Sequence, residues 1–129
     1  MGGSQEYVPG VCNIGAAETQ MRWIAGWTGL AITLALATLL IAYRADPRWR
    51  LLVFLPAFIG ALGFIQAKWH FCAAYGVTGV FNVSASTGHQ DTVEQAESRE
   101  KDRRTAFFII GLSALSAIVV TAVVYVIRV

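Results

Sequence analysis

The sequence predicts an all-α membrane protein with three transmembrane helices: an antiparallel hairpin, then a third long helix with a polar N-terminal extension. The spacing of charge points to it first. Uncharged stretches run from Trp23 to Tyr43 between Arg22 and Arg44, from Leu51 to Ala67 between Arg50 and Lys68, and from Thr105 to Ile127 between Arg104 and Arg128. A bilayer core about 30 Å thick needs roughly 20 apolar residues of helix to cross it. The first and third stretches reach that length. The second is near the lower limit, but Lys68 can snorkel and let the helix continue through Trp69–Tyr75. Composition agrees: 56% of residues are hydrophobic and 14% charged, with mean hydropathy +0.56, whereas soluble domains carry about 25% charged residues. Aromatic placement is the third observation. Trp23, Trp27, Trp69 and Tyr75 fall at one face of the hairpin, and Tyr43, Trp49 and Tyr125 gather at the other, as interfacial belts require.

The expected organisation is one integral membrane domain over residues 1–129, with spans at about 15–45, 50–75 and 90–128 and the membrane part of the last at 105–127. The arm from Met1 to Cys12 holds Gly2, Gly3, Pro9 and Gly10 and should be irregular. Gly15 is a suitable N-cap, Glu18 complements the positive helix terminus, and Glu18 to Arg22 is an i,i+4 pair. Asp46-Pro47 supplies a tight turn, because the residue before proline is pushed out of helical geometry. Pro56 sits about one turn into the second span, where a kink is tolerable if neighbours satisfy the freed carbonyl. Gly76 to Gly79 should end that span, and Val80 to Gly88 is small and polar. Thr87 followed by Gln90 reads as a capping box for the third helix. Glu97–Lys101 and Glu100–Arg104 are favourable i,i+4 pairs in a polar section rising roughly 20 Å. Such a stalk, with Glu97, Arg99, Lys101, Arg103 and Arg104, is either a solvated extension or a docking surface for a partner. No basic n-region precedes the first stretch, which is too long for a signal-peptide core.

Small residues recur at i,i+4 along each span: Ala25–Gly29–Thr33–Ala37, Ala57–Ala61, and Ser113–Ala117–Thr121. Small faces let helix backbones approach in lipid, either within one bundle or against another protomer. Acids and bases are absent between the flanks, and Gln66 is the strongly polar mid-span side chain. Pumps and charge-coupled transporters need intramembrane ionisable groups, so those functions are disfavoured. No Ser-His-Asp pattern, HExxH or phosphate loop occurs, and a formal charge of +2 gives no case for nucleic acid. The glycosylation-like triplet Asn82-Val-Ser84 is too short a match to carry weight. The one constellation with chemical potential is Cys12, His70 and Cys72, which the hairpin brings to one membrane face. These residues could ligate zinc, copper or haem iron; the cysteines could form a disulfide; Cys72 near Lys68 could be a reactive thiol; or all three could simply pack. His70, between Trp69 and Phe71, could also ligate a tetrapyrrole. No cofactor follows from the residues alone.

Cys12-Asn-Ile-Gly15 with Glu18 and Arg22, then Gly26 and Gly29, resembles the N-V-G-x-x-[DE]-R-x-x-R opening of the YgaP-like transmembrane domain family. Phe71-Cys72-Ala-Ala-Tyr75-Gly76-Val-Thr-Gly79-Val-Phe-Asn82 is similar to that family's F-C-P-L-Y-x-x-x-G-I-N-T closing. The resemblance covers roughly Cys12 to Asn82. It implies a membrane anchor or self-associating hairpin linked to sulfur handling, with Cys72 as the candidate sulfur site. The chain departs from the pattern at Ala73, at His70 and in its third helix, and it holds no rhodanese domain. Basic residues favour the stalk face as cytoplasmic by count, although the flanks of the first span favour the short loop. The resemblance tips the expectation to a prokaryotic inner membrane with the stalk inside. The expected role is non-catalytic: an accessory or scaffolding subunit, self-associating or part of a larger complex, in contact with the lipid bilayer and not with nucleic acid.

Overall fold

The computed structural model describes residues 7–83 and 91–127. It is mostly helical, and 76% of it is helix. The elements are α1 (Ala16–Ala42), a 3-10 helix (Pro47–Val53), α2 (Phe54–Trp69), α3 (Ala73–Thr78), β1 (Val80–Phe81), β2 (Asp91–Thr92) and α4 (Ala96–Val126). Among the described residues, three helical segments are long and apolar enough to cross a membrane: Ala16–Ala42, Pro47–Trp69 and Ala96–Val126. At about 1.5 Å per residue, α1 is about 40 Å long and α4 about 46 Å.

Gly15 caps α1 in an extended conformation, with Glu18 in the first turn. The helix stops at Ala42, a little before the expected residue 45, because Arg44 turns left-handed at φ 51. Asp46 then caps the 3-10 helix: its carboxylate accepts from the Arg48 amide at 3.0 Å, and Pro47 occupies the first turn. Hydrogen bonds from the Arg48 side chain and amide hold Asp46 below the usual carboxylate range. The change from 3-10 to α geometry at Phe54 leaves Pro56 in the first turn of α2, where its missing N–H is least costly.

α1 and α2 pack backbone to backbone. A Cβ built on Gly29 would lie 2.5 Å from Gly60 Cα, and one on Gly63 would lie 2.5 Å from Gly26 N. Gly26 also forms the notch that seats the Phe64 ring, which meets Trp23 and Trp27 edge-on at 5.8 and 5.1 Å. The predicted stripes on α1 and α2 therefore match the true contact only in part, whereas Ser113, Ala117 and Thr121 of the third are all buried. Gly29, Thr33 and Ala57 are buried, but Ala25, Ala37 and Ala61 are only half-buried, and Gly26, Gly60 and Gly63 complete the face. Four residues advance a helix by about 400°, so a strict i,i+4 stripe drifts about 40° per step. A straight contact needs steps of three mixed with steps of four. On α4 it has them: Ser98, Asp102, Ala106, Ile109, Ser113, Ala117, Thr121 and Val124 are buried in one line.

The second span does not run on to residue 75. α2 ends at Trp69, His70 turns left-handed at φ 54, and Phe71-Cys72 is non-helical. That break lets Phe71 insert fully between Ala73 of α3 and Ala106 and Ile109 of α4. Gln66 makes the break possible: its Oε1 accepts from Ala73 N at 2.7 Å and so caps the new helix α3. Gly79, at φ 79, ends α3 and leads into the antiparallel ribbon, with Val80 opposite Thr92 and Phe81 opposite Asp91. α4 consequently starts at Ala96 and not near residue 90. The Thr87–Gln90 capping box lies outside the described residues.

Arg50, which flanks the second apolar stretch, is buried at 8% exposure. Its Nη1 donates to the carbonyls of Val124, Tyr125 and Ile127 at 2.9, 3.3 and 2.5 Å. The last carbonyls of a helix lack partners and carry the negative end of its dipole, so a guanidinium there ties the start of the second span to the end of α4.

Gly29→Val should cost about 1–3 kcal/mol of stability from overpacking, measured by reversible unfolding in mild detergent. Gly111→Val is the control, because a Cβ at Gly111 would meet no other part of the fold within 4 Å; equal effects would refute the backbone contact. Arg50→Gln should speed amide exchange at the α4 C-terminus by at least about tenfold, from loss of charged hydrogen bonds worth about 1.5–3 kcal/mol. Unchanged exchange there would remove the capping role.

Candidate functional site

The chemistry-bearing side chains collect at the open end of the hairpin, and the N-terminal arm organises them. Asn13 is fully buried and brackets Cys72: its Oδ1 accepts from Cys72 N at 2.6 Å, and its Nδ2 donates to Cys72 O at 3.1 Å. The His70 carbonyl, aimed by the left-handed turn, accepts from Asn13 N at 3.1 Å and Ile14 N at 3.4 Å. On the other side, Asn82 N donates to Asn13 O and Gly15 N to Asn82 O, both at 2.8 Å. Residues 13–15 thus thread between the end of α2 and the start of the ribbon. These bonds satisfy backbone groups that helix ends leave orphaned.

Beneath this thread lies a charged chain. Glu18, 3% exposed, accepts from Arg22 Nη2 at 3.2 Å and from the Tyr75 hydroxyl at 3.3 Å. The same Arg22 nitrogen donates to Cys72 Sγ at 3.1 Å. Arg22, Gln66 and Cys72 form the polar end of an open cavity of about 620 Å³, walled by Phe58, Leu62, Val77 and Ile110. The arrangement can hold a neutral polar headpiece with an apolar tail, or leave Cys72 in contact with an entering small molecule.

The three predicted ligands come to one level but do not make a metal centre. Cys12 is half-buried, its thiol directed to Ile14 O at 3.5 Å, and burial pushes it above its ordinary pKa, partly offset by a backbone hydrogen bond from Ile14. Cys72 is buried against Arg22, and the two cysteines are not joined by a disulfide. Among the described residues, no group of three His, Cys, Asp or Glu side chains is placed to hold a metal ion. The metal expectation at Cys12, His70 and Cys72 is corrected accordingly: the backbone thread that unites these segments is held by amides and carbonyls, not by converging side chains. His70 acts here through its carbonyl.

The stalk also differs from expectation. Its inner face is covered, because Asp102 is fully buried and accepts from the Tyr7 hydroxyl at 2.6 Å and Gly10 N at 2.7 Å. Thr105 Oγ1 donates to Gly10 O at 2.7 Å, and Tyr7 stacks on Phe81 at 4.3 Å. The arm from Tyr7 onward is therefore clamped onto α4, with Gly10 at φ 73 making its turn. Glu97, Lys101, Arg103 and Arg104 stay exposed, whereas Arg99 is half-buried and donates to the Val93 and Glu94 carbonyls at 2.9 and 3.3 Å. Of the two expected stalk pairs, Glu100–Arg104 closes at 3.0 Å. Sequence reasoning missed Asp102, although its place four residues after Ser98 and four before Ala106 puts it on the buried line. Asn13 carried no such signal.

Burial, then the hydrogen bond and charge of Asp102, raise the Tyr7 hydroxyl well above its ordinary value. A raised value in the fold means the clamp is fully present below about pH 10, the unfolded tyrosine value, and is lost as pH climbs beyond it. Tyr7→Phe should remove a late-titrating phenol from the alkaline absorbance titration. Asp102→Ala should free the arm to limited proteolysis, at a cost of about 2–4 kcal/mol for two charge-assisted bonds. An arm as protected in Asp102→Ala as in the wild type would refute the clamp.

Comparison with known proteins returns no match: no family model, curated protein or solved structure matches the chain.

Proposed function

We propose that the chain is an integral membrane protein without catalysis of its own, an accessory or scaffolding subunit that packs in the membrane against itself or a larger complex. One observation carries this reading. α1 buries Glu18, Thr19, Gly26, Gly29 and Thr33, and no residue beyond Thr33 in that helix is buried, whereas α4 buries residues from Ser98 to Val124. The second half of α1 is thus an apolar helix with little cover from its own chain, in a protein whose helices meet through small residues. The polar groups support the same reading. Asn13, Gln66, Arg50 and Asp102 are each consumed in capping or clamping the fold, leaving few groups for chemistry.

The exposed face of the stalk offers Lys101, Arg103 and Arg104, which supports a cytoplasmic placement of that face in a prokaryotic inner membrane. The resemblance to YgaP-like hairpins fits as well, since Gly26, Gly29 and Asn82 all occupy contact or bonding positions. A second reading, thiol chemistry, keeps support at Cys72 alone, from the Arg22 donor at 3.1 Å and the adjoining cavity.

Purification in mild detergent followed by mass photometry, with cysteine crosslinking from Leu34 and Leu39 of α1, tests the first reading. A dimer or a stoichiometric partner crosslinked through those positions is expected; a strict monomer with an empty pull-down overturns it. Thiol titration of the same sample separates the second reading, which requires Cys72 to react faster than Cys12.

A further inference from the structure

We infer that the stalk-side end of α4 carries a site for one anionic phospholipid. Its phosphate is held at Arg104, flanked by Lys101 and Arg103, and its acyl chains lie over a shelf made by Trp69 and Phe108. This rests on the membrane reading above and adds a ligand to it.

The helix itself arranges the parts. At about 100° per residue, Lys101 and Phe108 lie within about 60° of Arg104 on one side, and Phe107 lies about 60° away on the other, with Arg103 beyond it. Basic groups therefore form one turn of α4 and aromatic rings the next, the order that a phosphate and its acyl chains present from headgroup to tail. Lys101, Arg103 and Arg104 are exposed, as are Phe107 at 57% and Phe108 at 61%. α2 completes the shelf: Trp69 stacks on Phe108 with centroids 5.7 Å apart and planes 13° from parallel. The N-terminal arm supplies the far wall. Gly10, Val11, Trp69, Arg104, Thr105 and Phe108 line an open cavity of about 530 Å³, which therefore joins a guanidinium to two aromatic rings.

Charge selects the occupant. Lys68, Lys101, Arg103 and Arg104 are exposed at this end, against Glu97 and Glu100. Asp102, the other acid here, is turned inward to Tyr7 and Gly10 and cannot neutralise the patch from outside. Arg103 has no hydrogen bond or ion pair among the described residues. Arg104 pairs with Glu100, but both side chains are open to solvent, at 78% and 64% exposure, and such a pair yields readily to a bidentate phosphate. A zwitterionic headgroup would bring its ammonium against this patch, whereas a phosphatidylglycerol leaves its negative charge uncompensated. Free phosphate would leave the aromatic shelf unused, and an acidic peptide would need an extended apolar segment to match it.

The full chain, purified in mild detergent, can be titrated with phosphatidylglycerol and with phosphatidylcholine and read by native mass spectrometry. One phosphatidylglycerol should be retained with at least about tenfold preference. Arg103→Gln with Arg104→Gln should lower that preference about fivefold per charge removed, whereas the Lys,Lys pair retains it, and Arg44→Gln with Arg48→Gln at the opposite end leaves it unchanged. Circular dichroism establishes that each variant is folded. Equal retention of the two lipids, displacement by inorganic phosphate, displacement by an acidic peptide, or an unaltered preference in the Gln,Gln variant would overturn the site. Flotation with phosphatidylcholine vesicles separates the two levels of inference. A chain that floats but shows no lipid preference loses only this site, while one that fails to float loses the membrane reading too.

Discussion

Everything at the functional end of this molecule depends on how closely α1 and α2 approach. Gly26 and Gly29 meet Gly60 and Gly63 with no side chain between the backbones, and a single Cβ at Gly29 or Gly63 would occupy space already held by main-chain atoms. Contacts of this kind have one register. Sliding α1 by a turn would present Thr33 to Gly60, or Arg22 to Gly63, in place of glycine. With the register held, the first turns of α1 stand beside the last turn of α2, and Arg22 reaches Cys72 while Asn13 reaches the backbone beyond it.

The polar side chains follow a common logic. Breaking a helix where water is scarce exposes amides and carbonyls whose burial unpaired costs several kcal/mol in hydrocarbon. Here each break is matched by a side chain that completes the bonding. Gln66 serves the start of α3, Asn13 the non-helical step at Cys72, and Arg50 the end of α4. The groups that a search for catalysis would single out are therefore the ones that hold the fold closed. The cavity beside Cys72 remains the exception, since Arg22 and Cys72 both border it while bonded to one another.

α4 has two characters along one helix. Its inner line, from Ser98 to Val124, is small or apolar apart from Asp102, which is occupied by the arm. Its outer line carries basic groups one turn from aromatic ones. That division explains how a strongly charged stretch can pack on one side and remain available to phosphate or protein on the other. By covering Asp102, the arm leaves Lys101, Arg103 and Arg104 exposed against Glu97 and Glu100.

Much of the architecture was legible in the sequence. Uncharged stretches bounded by arginine or lysine located the three long helices, because apolar length and flanking charge are properties of the chain alone. Gly15, Glu18 and the Asp46-Pro47 turn were legible for the same reason, each acting on its nearest neighbours. What the sequence left open was every feature that depends on a distant partner. The break at His70 required Gln66 to cap α3 and a pocket on α4 to receive Phe71, and a continuous apolar run gives no sign of either. The glycine contact was read in part, with Ala25 and Ala61 in place of their neighbours Gly26 and Gly60, because a strict four-residue stripe ignores the 3.6-residue turn. The partners of Arg50 and Asp102 were not legible, since only packing shows that one faces the carbonyls of α4 and the other an arm more than ninety residues away. Local propensity and hydropathy determine which segments are helical. Which of their faces meet, and which charges become interior, is decided by contacts between residues that the chain places far apart.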